Sequence, residues 1–192
     1  KEGGWSLEQI DPIHPCVGKE NWCASSDASG GTPGKQNSVN GINLSLPEIL
    51  SVEITGISIV AINFSHFMDS LSLINPSAYF VDNGIGIPIH ASVSGDLFNS
   101  VLLEFDSDFQ ENEAYQLTIS DTLFNCSGDF IELNSVYPLI MPAEAEMYDV
   151  VINEIMADPD PPVGLPEYEY IEIYNTTPSY LRISDWVLQV GA

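Results

Sequence analysis

The stretch VVINEIMADPDPPVGLPEYEYIEIYN, residues 150–175, crowds together Glu154, Asp158, Asp160, Glu167, Glu169 and Glu172. Two carboxylates on adjacent strands are the minimum for acid–base chemistry, and a tighter set would hold a divalent cation. The sequence argues against both. Glu154 and Glu172 stand among apolar neighbours in strand-like segments, where an unpaired buried carboxylate is costly. Each is therefore expected to accept hydrogen bonds, since no nucleophile or metal set accompanies them. Asp158 and Asp160 alternate with Pro159, Pro161 and Pro162, which keep the backbone extended and splay the side chains. The glycine and closing Glu of a calcium loop are absent there.

The better cation candidate is Asp106, Asp108, Glu111 and Glu113 in EFDSDFQENEAY. A flexible turn would offer several oxygens to calcium, the one cofactor these residues could take, with an extracellular-type affinity of about 10⁻⁴–10⁻³ M. A charged hairpin tip is the commoner reason for such a run. His66 lies between Ser65 and Asp69, a triad in composition only: residues so close in sequence rarely reach triad geometry, and no nucleophile elbow surrounds them. GGTPGK lacks the spacing and the strand-to-helix setting of a phosphate loop. Trp5, Trp22 and Trp186 fit packing roles better than a sugar platform. No residue receives a catalytic role, and the chain is read as a non-enzyme.

Three cysteines remain. Cys16 and Cys23 lie close together in PCVGKENWC, and Cys126 stands apart in FNCSG. Two Cys and His14 make a poor zinc set without a fourth ligand. A local disulfide between Cys16 and Cys23 is the expectation, contributing about 2.5 kcal/mol on the chain-entropy model and implying an oxidising compartment. Cys126 is then a small buried apolar residue.

The elements that would position these groups are strands. Short β-rich segments recur between Gly, Pro, Asn and Asp punctuation: 49–55, 58–64, 78–81, 87–93, 100–105, 114–120, 130–137, 150–155, 168–174 and 181–190. DNGIG at residues 82–86 is a strong turn signal between two of them, and DSDFQENE joins two more. One helical turn is expected over 69–74, capped by Asp69 or Ser70 and ended by Pro76. Many short strands without long helices predict an all-β fold of sandwich units.

The charge balance is extreme. Four Lys and Arg face 28 Asp and Glu, a formal charge of −24. Such a field repels nucleic acid and anionic lipid, and no apolar run is long enough to span a bilayer as a helix. Apolar residues make up 44% of the chain, enough for a packed core. Residues 44–142 carry thirteen of the acids and no Lys or Arg, a compositional change that suggests a boundary near residue 42. Pro138 and Pro142 suggest another. The first residue is Lys1, and the sequence ends directly after a strand pattern, as expected for a piece of something longer.

Three stretches in order, VVINEIMADP, EYEYIEIYN and LRISDWVL, resemble the opening strands of the lamin-tail domain, an immunoglobulin-like β-fold. GGWSLEQIDP with NWCASSDASGGTPGKQNSV resembles the end of that domain in bacterial secreted proteins. The middle, VAINFSHFMDSLSLINPSAYFV with SDTLFNCSGDFI, resembles a bacterial Ig-like domain, although Asp129 stands where that family's late turn usually has Asn.

The resemblance implies immunoglobulin-like β-sandwich units in tandem. Residues 1–41 would be the end of one lamin-tail-like domain, 42–142 a complete Ig-like sandwich, and 143–192 a linker and the start of a second lamin-tail-like domain. It implies a non-catalytic structural or interaction module of a secreted or cell-surface multidomain protein: an adhesin stalk, spacer or docking partner. Its partners would be other protein domains, neighbouring repeats or a surface or secretion complex, reached by a dedicated outer-membrane route such as type IX secretion. The alternatives are an accessory region of a secreted hydrolase whose catalytic domain lies elsewhere, and a weak calcium- or glycan-binding module.

Overall fold

The computed structural model describes residues 4–95, 97–161, 164 and 167–189. Pro162 and Val190, assigned above to a loop and a strand end, lie outside them. The fold is all-β. Its strands are β1 (Leu7–Gln9), β2 (Trp22–Ala24), β3 (Ile49–Gly56), β4 (Ile59–Phe64), β5 (Tyr79–Val81), β6 (His90–Val93), β7 (Ser100–Glu104), β8 (Ala114–Ile119), β9 (Val136–Ile140), β10 (Ala143–Glu144), β11 (Val150–Met156), β12 (Tyr170–Asn175) and β13 (Leu181–Arg182). The described helical segments are the 3-10 stretches Pro15–Asn21 and Pro76–Ala78 and one turn of α-helix, α1 (Ser70–Leu73).

The described residues fall into two compact units. The first runs through Phe109 and resumes over Ala114–Leu139; the second takes Gln110–Glu113 and the chain from Ile140 onward. The first contains two sheets. One has the order β3-β4-β7-β6, with every pairing antiparallel, and the other the order β5-β8-β9. Alternation decides their faces, because successive side chains on a strand point to opposite sides. Val60, Ile62 and Phe64 of β4, Val101 and Leu103 of β7, and Tyr115, Leu117 and Ile119 of β8 are all buried. Removing a Val, Leu, Ile or Phe side chain from water stabilises by roughly 1.5–3 kcal/mol, so these alternating sets set the register.

Phe109 ties the sheets together. Its ring meets Phe105, just past β7, edge-on at 5.6 Å, and Tyr115 of β8 edge-on at 5.1 Å. The acidic stretch between β7 and β8 is therefore a crossover from one sheet to the other, where a hairpin tip was expected. The DNGIG turn closes locally, with Val81 and Gly86 exchanging two backbone hydrogen bonds of 2.8 Å, and Asn83 and Gly84 in left-handed conformation. The chain then separates: β5 pairs with β8, and β6 with β7. The expected helical turn forms as α1, and Asp69 accepts from the Ser72 amide at 2.9 Å. Behind it the buried Tyr79 hydroxyl donates to the Leu73 carbonyl at 2.8 Å.

The described residues before 42 fall in the same compact unit as both sheets. The Phe67 amide donates to the Cys16 carbonyl at 2.8 Å, and the Asn43 amide to Asp11 at 2.9 Å. The change in charge composition near residue 42 is not a break in packing, because long-range bonds cross it.

The second unit is built differently. β11 and β12 form an antiparallel ribbon with an irregularity between Ile152 and Glu154, and β10 pairs in parallel with β13. Glu111 bridges Met141. Among the described residues, the buried hydrophobic side chains of this unit reduce to Met141, while Ile152, Ile155, Ile173 and Tyr174 of the ribbon are exposed.

Candidate functional site

The N-terminal segment is organised by two buried carboxylates that the sequence reading passed over. Glu8, on the inner side of the β1–β2 ribbon, accepts from the Thr32 hydroxyl at 2.6 Å and from the Ser38 amide and hydroxyl at 2.7 Å each. Asp11 accepts from the amides of Asn43 and Ile13 at 2.9 Å each, and His14 Nδ1 lies 2.8 Å away. Asn21 completes this knot: its side chain accepts from the Asp11 amide and donates to the carbonyls of Asp11 and His14. Hydrogen bonds to the charged form hold a carboxyl low. The Thr32 hydroxyl leads in holding Glu8 at about 2, and the Asn43 amide leads in holding Asp11 at about 2. Both groups are buried and hydrogen-bonded at each oxygen, which makes them anchors for loops 25–43. Thr32 and Ser38, both within the hydroxyl-rich stretch 25–39, were the available signal.

The expected Cys16–Cys23 bond is not formed. Cys16 is bonded to Cys126, with Cα atoms 5.6 Å apart, across a sequence separation of 110. The reason is strand geometry. Cys23 lies on β2 opposite Glu8 of β1, whereas the 3-10 segment turns Cys16 into the core beside Phe67, whose carbonyl accepts from the Cys126 amide at 3.1 Å. Cys23 has no cysteine partner, and Cys126 is a surface residue rather than a buried apolar one.

Asp106, Asp108, Glu111 and Glu113 are divided by the crossover, the first two in the first compact unit and the last two in the second. Among the described residues no three His, Cys, Asp or Glu side chains gather closely enough to hold a metal ion. Asp158 and Asp160 likewise join no such group.

Ser65 and His66 do meet, with Ser65 Oγ 2.7 Å from His66 Nδ1. The pair is structural: His66 is buried, and its Nε2 lies 3.2 Å from the Ser45 carbonyl. Asp69 is occupied at the α1 cap. Ser65 also brackets Glu48, its Oγ accepting from the Glu48 amide at 2.9 Å and its own amide donating to the Glu48 carbonyl at 2.9 Å. Together Ser65 and His66 fix the extended segment 45–48.

That segment walls an open groove of about 870 Å³ in the first unit. Ile49 at the start of β3 lies on one side and Tyr137 of β9 on the other, so the groove runs between the outer strands of the two sheets. Leu46, Phe130 and Leu133 supply apolar surface, and Glu48, Asp129 and Glu132 supply the charge. The turn below Phe130 is held by Asn125, whose Oδ1 accepts from the amides of Ser127 and Asp129 at 2.9 Å each.

On the second unit, Glu154 and Glu172 are direct cross-strand neighbours. Both are exposed; Tyr170 donates to Glu154, and Asn153 to Glu172. Glu154 pushes the Tyr170 phenol above its ordinary range. Like charges directly opposite one another oppose pairing, and the two donors offset this.

No family model matches the chain, and no curated protein matches it. Among solved structures it is similar to the N-terminal part of the bacterial S-layer protein SbsC, with TM-score 0.45 and 16% identity over 57% of this chain and 26% of that one. A longer structure of SbsC gives TM-score 0.45 and 16% identity over 57% of this chain and 15% of that one. Domains 1–6 of the same protein give TM-score 0.44 and 16% identity over 58% and 16%. The chain thus spans between 15% and 26% of those structures' length, and a likeness of this size carries no argument about what it does.

Proposed function

We propose that this chain is a non-catalytic structural and interaction module of a secreted or cell-surface multidomain protein. In this reading an immunoglobulin-like sandwich carries lamin-tail-like segments on either side, in an array whose units contact mainly their neighbours. The observation that carries it is the Cys16–Cys126 bond, which ties the 3-10 stretch Pro15–Asn21 to the segment that follows β8. Such a bond persists in oxidising compartments and is rare in reducing ones. The loop contacts of Glu8 and Asp11 support a scaffold role for the N-terminal segment, because each buried carboxylate accepts from loop donors.

The test is thiol trapping in the cells that produce the full-length protein. Acid-quenched cells are alkylated without reductant and the peptides are mapped. Modification of Cys23 alone supports the reading. Modification of Cys16 and Cys126 as well would show a reducing compartment and overturn it.

A further inference from the structure

The groove between β3 and β9 is fixed on both walls before any ligand arrives. Ser65 and His66 clamp segment 45–48, and Asn125 clamps the turn that leads to Phe130. Its apolar surface is open to water: Leu46 is 61% exposed, Phe130 55% and Leu133 47%. β3 and β9 are the outer strands of their sheets, and an outer strand presents backbone donors and acceptors to an added strand. Pro138 lies within β9 and removes one donor there, so β3 is the better template. Glu48, Asp129 and Glu132 line the same groove, and residues 44–142 contain no Lys or Arg to neutralise them.

We propose that this groove binds an extended segment of a different protein, in which apolar side chains alternate with Lys or Arg. The segment would add along β3, placing apolar side chains against Leu46, Phe130 and Leu133, while its cations, on the opposite side of the strand, lie in the field of the three carboxylates. The occupant is not a second copy of this chain. The chain has four cationic residues, Lys1, Lys19, Lys35 and Arg182, no two within a strand's length of each other. This inference deepens the reading as an interaction module. Its failure would leave the extracellular placement untouched, since that rests on the cysteine bond.

The experiment uses fluorescence anisotropy at physiological salt with three labelled eight-residue peptides: alternating Lys-Val, alternating Lys-Ser and alternating Glu-Val. The expected result is that Lys-Val binds at least tenfold more tightly than Lys-Ser, and that Glu-Val shows no binding. Phe130→Ser and Leu133→Ser, both at exposed positions, should each weaken Lys-Val binding at least fivefold, with melting temperatures near the parent's. Equal binding of Lys-Val and Lys-Ser would assign the effect to the diffuse negative field and overturn the proposal. So would unchanged Lys-Val binding by both variants. Sedimentation showing self-association that either variant abolishes would make a second copy the occupant and overturn it too.

Discussion

Cys16 is joined to Cys126 across 110 residues, while Cys23, only seven positions from Cys16, has no cysteine partner. The bond closes residues 16–126, from the 3-10 stretch Pro15–Asn21 through β8, into one covalent loop. Loss of a native disulfide typically costs about 2–5 kcal/mol. Cys16→Ser and Cys126→Ser should each lower the unfolding free energy by that amount in urea titrations, and Cys23→Ser by about 1 kcal/mol or less. A non-reduced peptide map should yield the 16–126 cross-link; a 16–23 cross-link would refute the pairing.

Acid sensitivity should trace to Glu8 and Asp11. Both carboxyls are held at about 2 in the folded chain, against ordinary values of 4.5 and 3.8. A depressed carboxyl contributes stability that is fully present above its unfolded value and is lost as pH falls toward its folded value. The urea midpoint should therefore fall between pH 4.5 and pH 2. Glu8→Gln and Asp11→Asn should be less stable than the parent at pH 7 and show a flatter profile across that window. A parent-like slope in both variants would place the acid sensitivity elsewhere.

Phe109 should matter far more than its acidic surroundings. It lies between Phe105 and Tyr115 at the junction of the two sheets. Phe109→Ala should cost about 3–5 kcal/mol by denaturant unfolding, whereas Asp106→Ala, at an exposed position three residues earlier, should stay within about 0.5 kcal/mol.

Calcium should not stabilise the fold. A cation bound only by the folded chain raises stability with its concentration, yet Asp106, Asp108, Glu111 and Glu113 form no convergent group. Melting temperatures in millimolar calcium and in EDTA should agree. A calcium-dependent rise abolished by Asp106→Asn with Asp108→Asn would restore the cation site.

Much of the sandwich was legible before the structure. The alternation in IVAINF and AYQLTI placed β4 and β8 because one face of each must leave water, and period-two patterning reports that directly. Asp69 at the start of α1 was legible for a local reason too: a carboxylate three residues before an orphan amide caps it. Strand 130–137 shifted to Val136–Ile140 because the Asn125–Asp129 turn and the Phe124–Phe130 bridge take its first residues. The groove had no linear signature at all, since its walls are some eighty residues apart.

The residues themselves determined the class of this protein: strand-length apolar alternation points to strands rather than a helical core, and a charge of −24 sets up a field that repels other polyanions. Tertiary structure decided which strands became neighbours, which cysteine Cys16 met, and where the acids went. Pairing across sheets is set by burial summed over the whole core. A turn such as DNGIG specifies its own five residues and says nothing about which sheet receives the strands on either side. The carboxylates of 106–113 were separated for the same reason: Phe109, in their midst, is drawn into the aromatic junction, and the chain around it must follow.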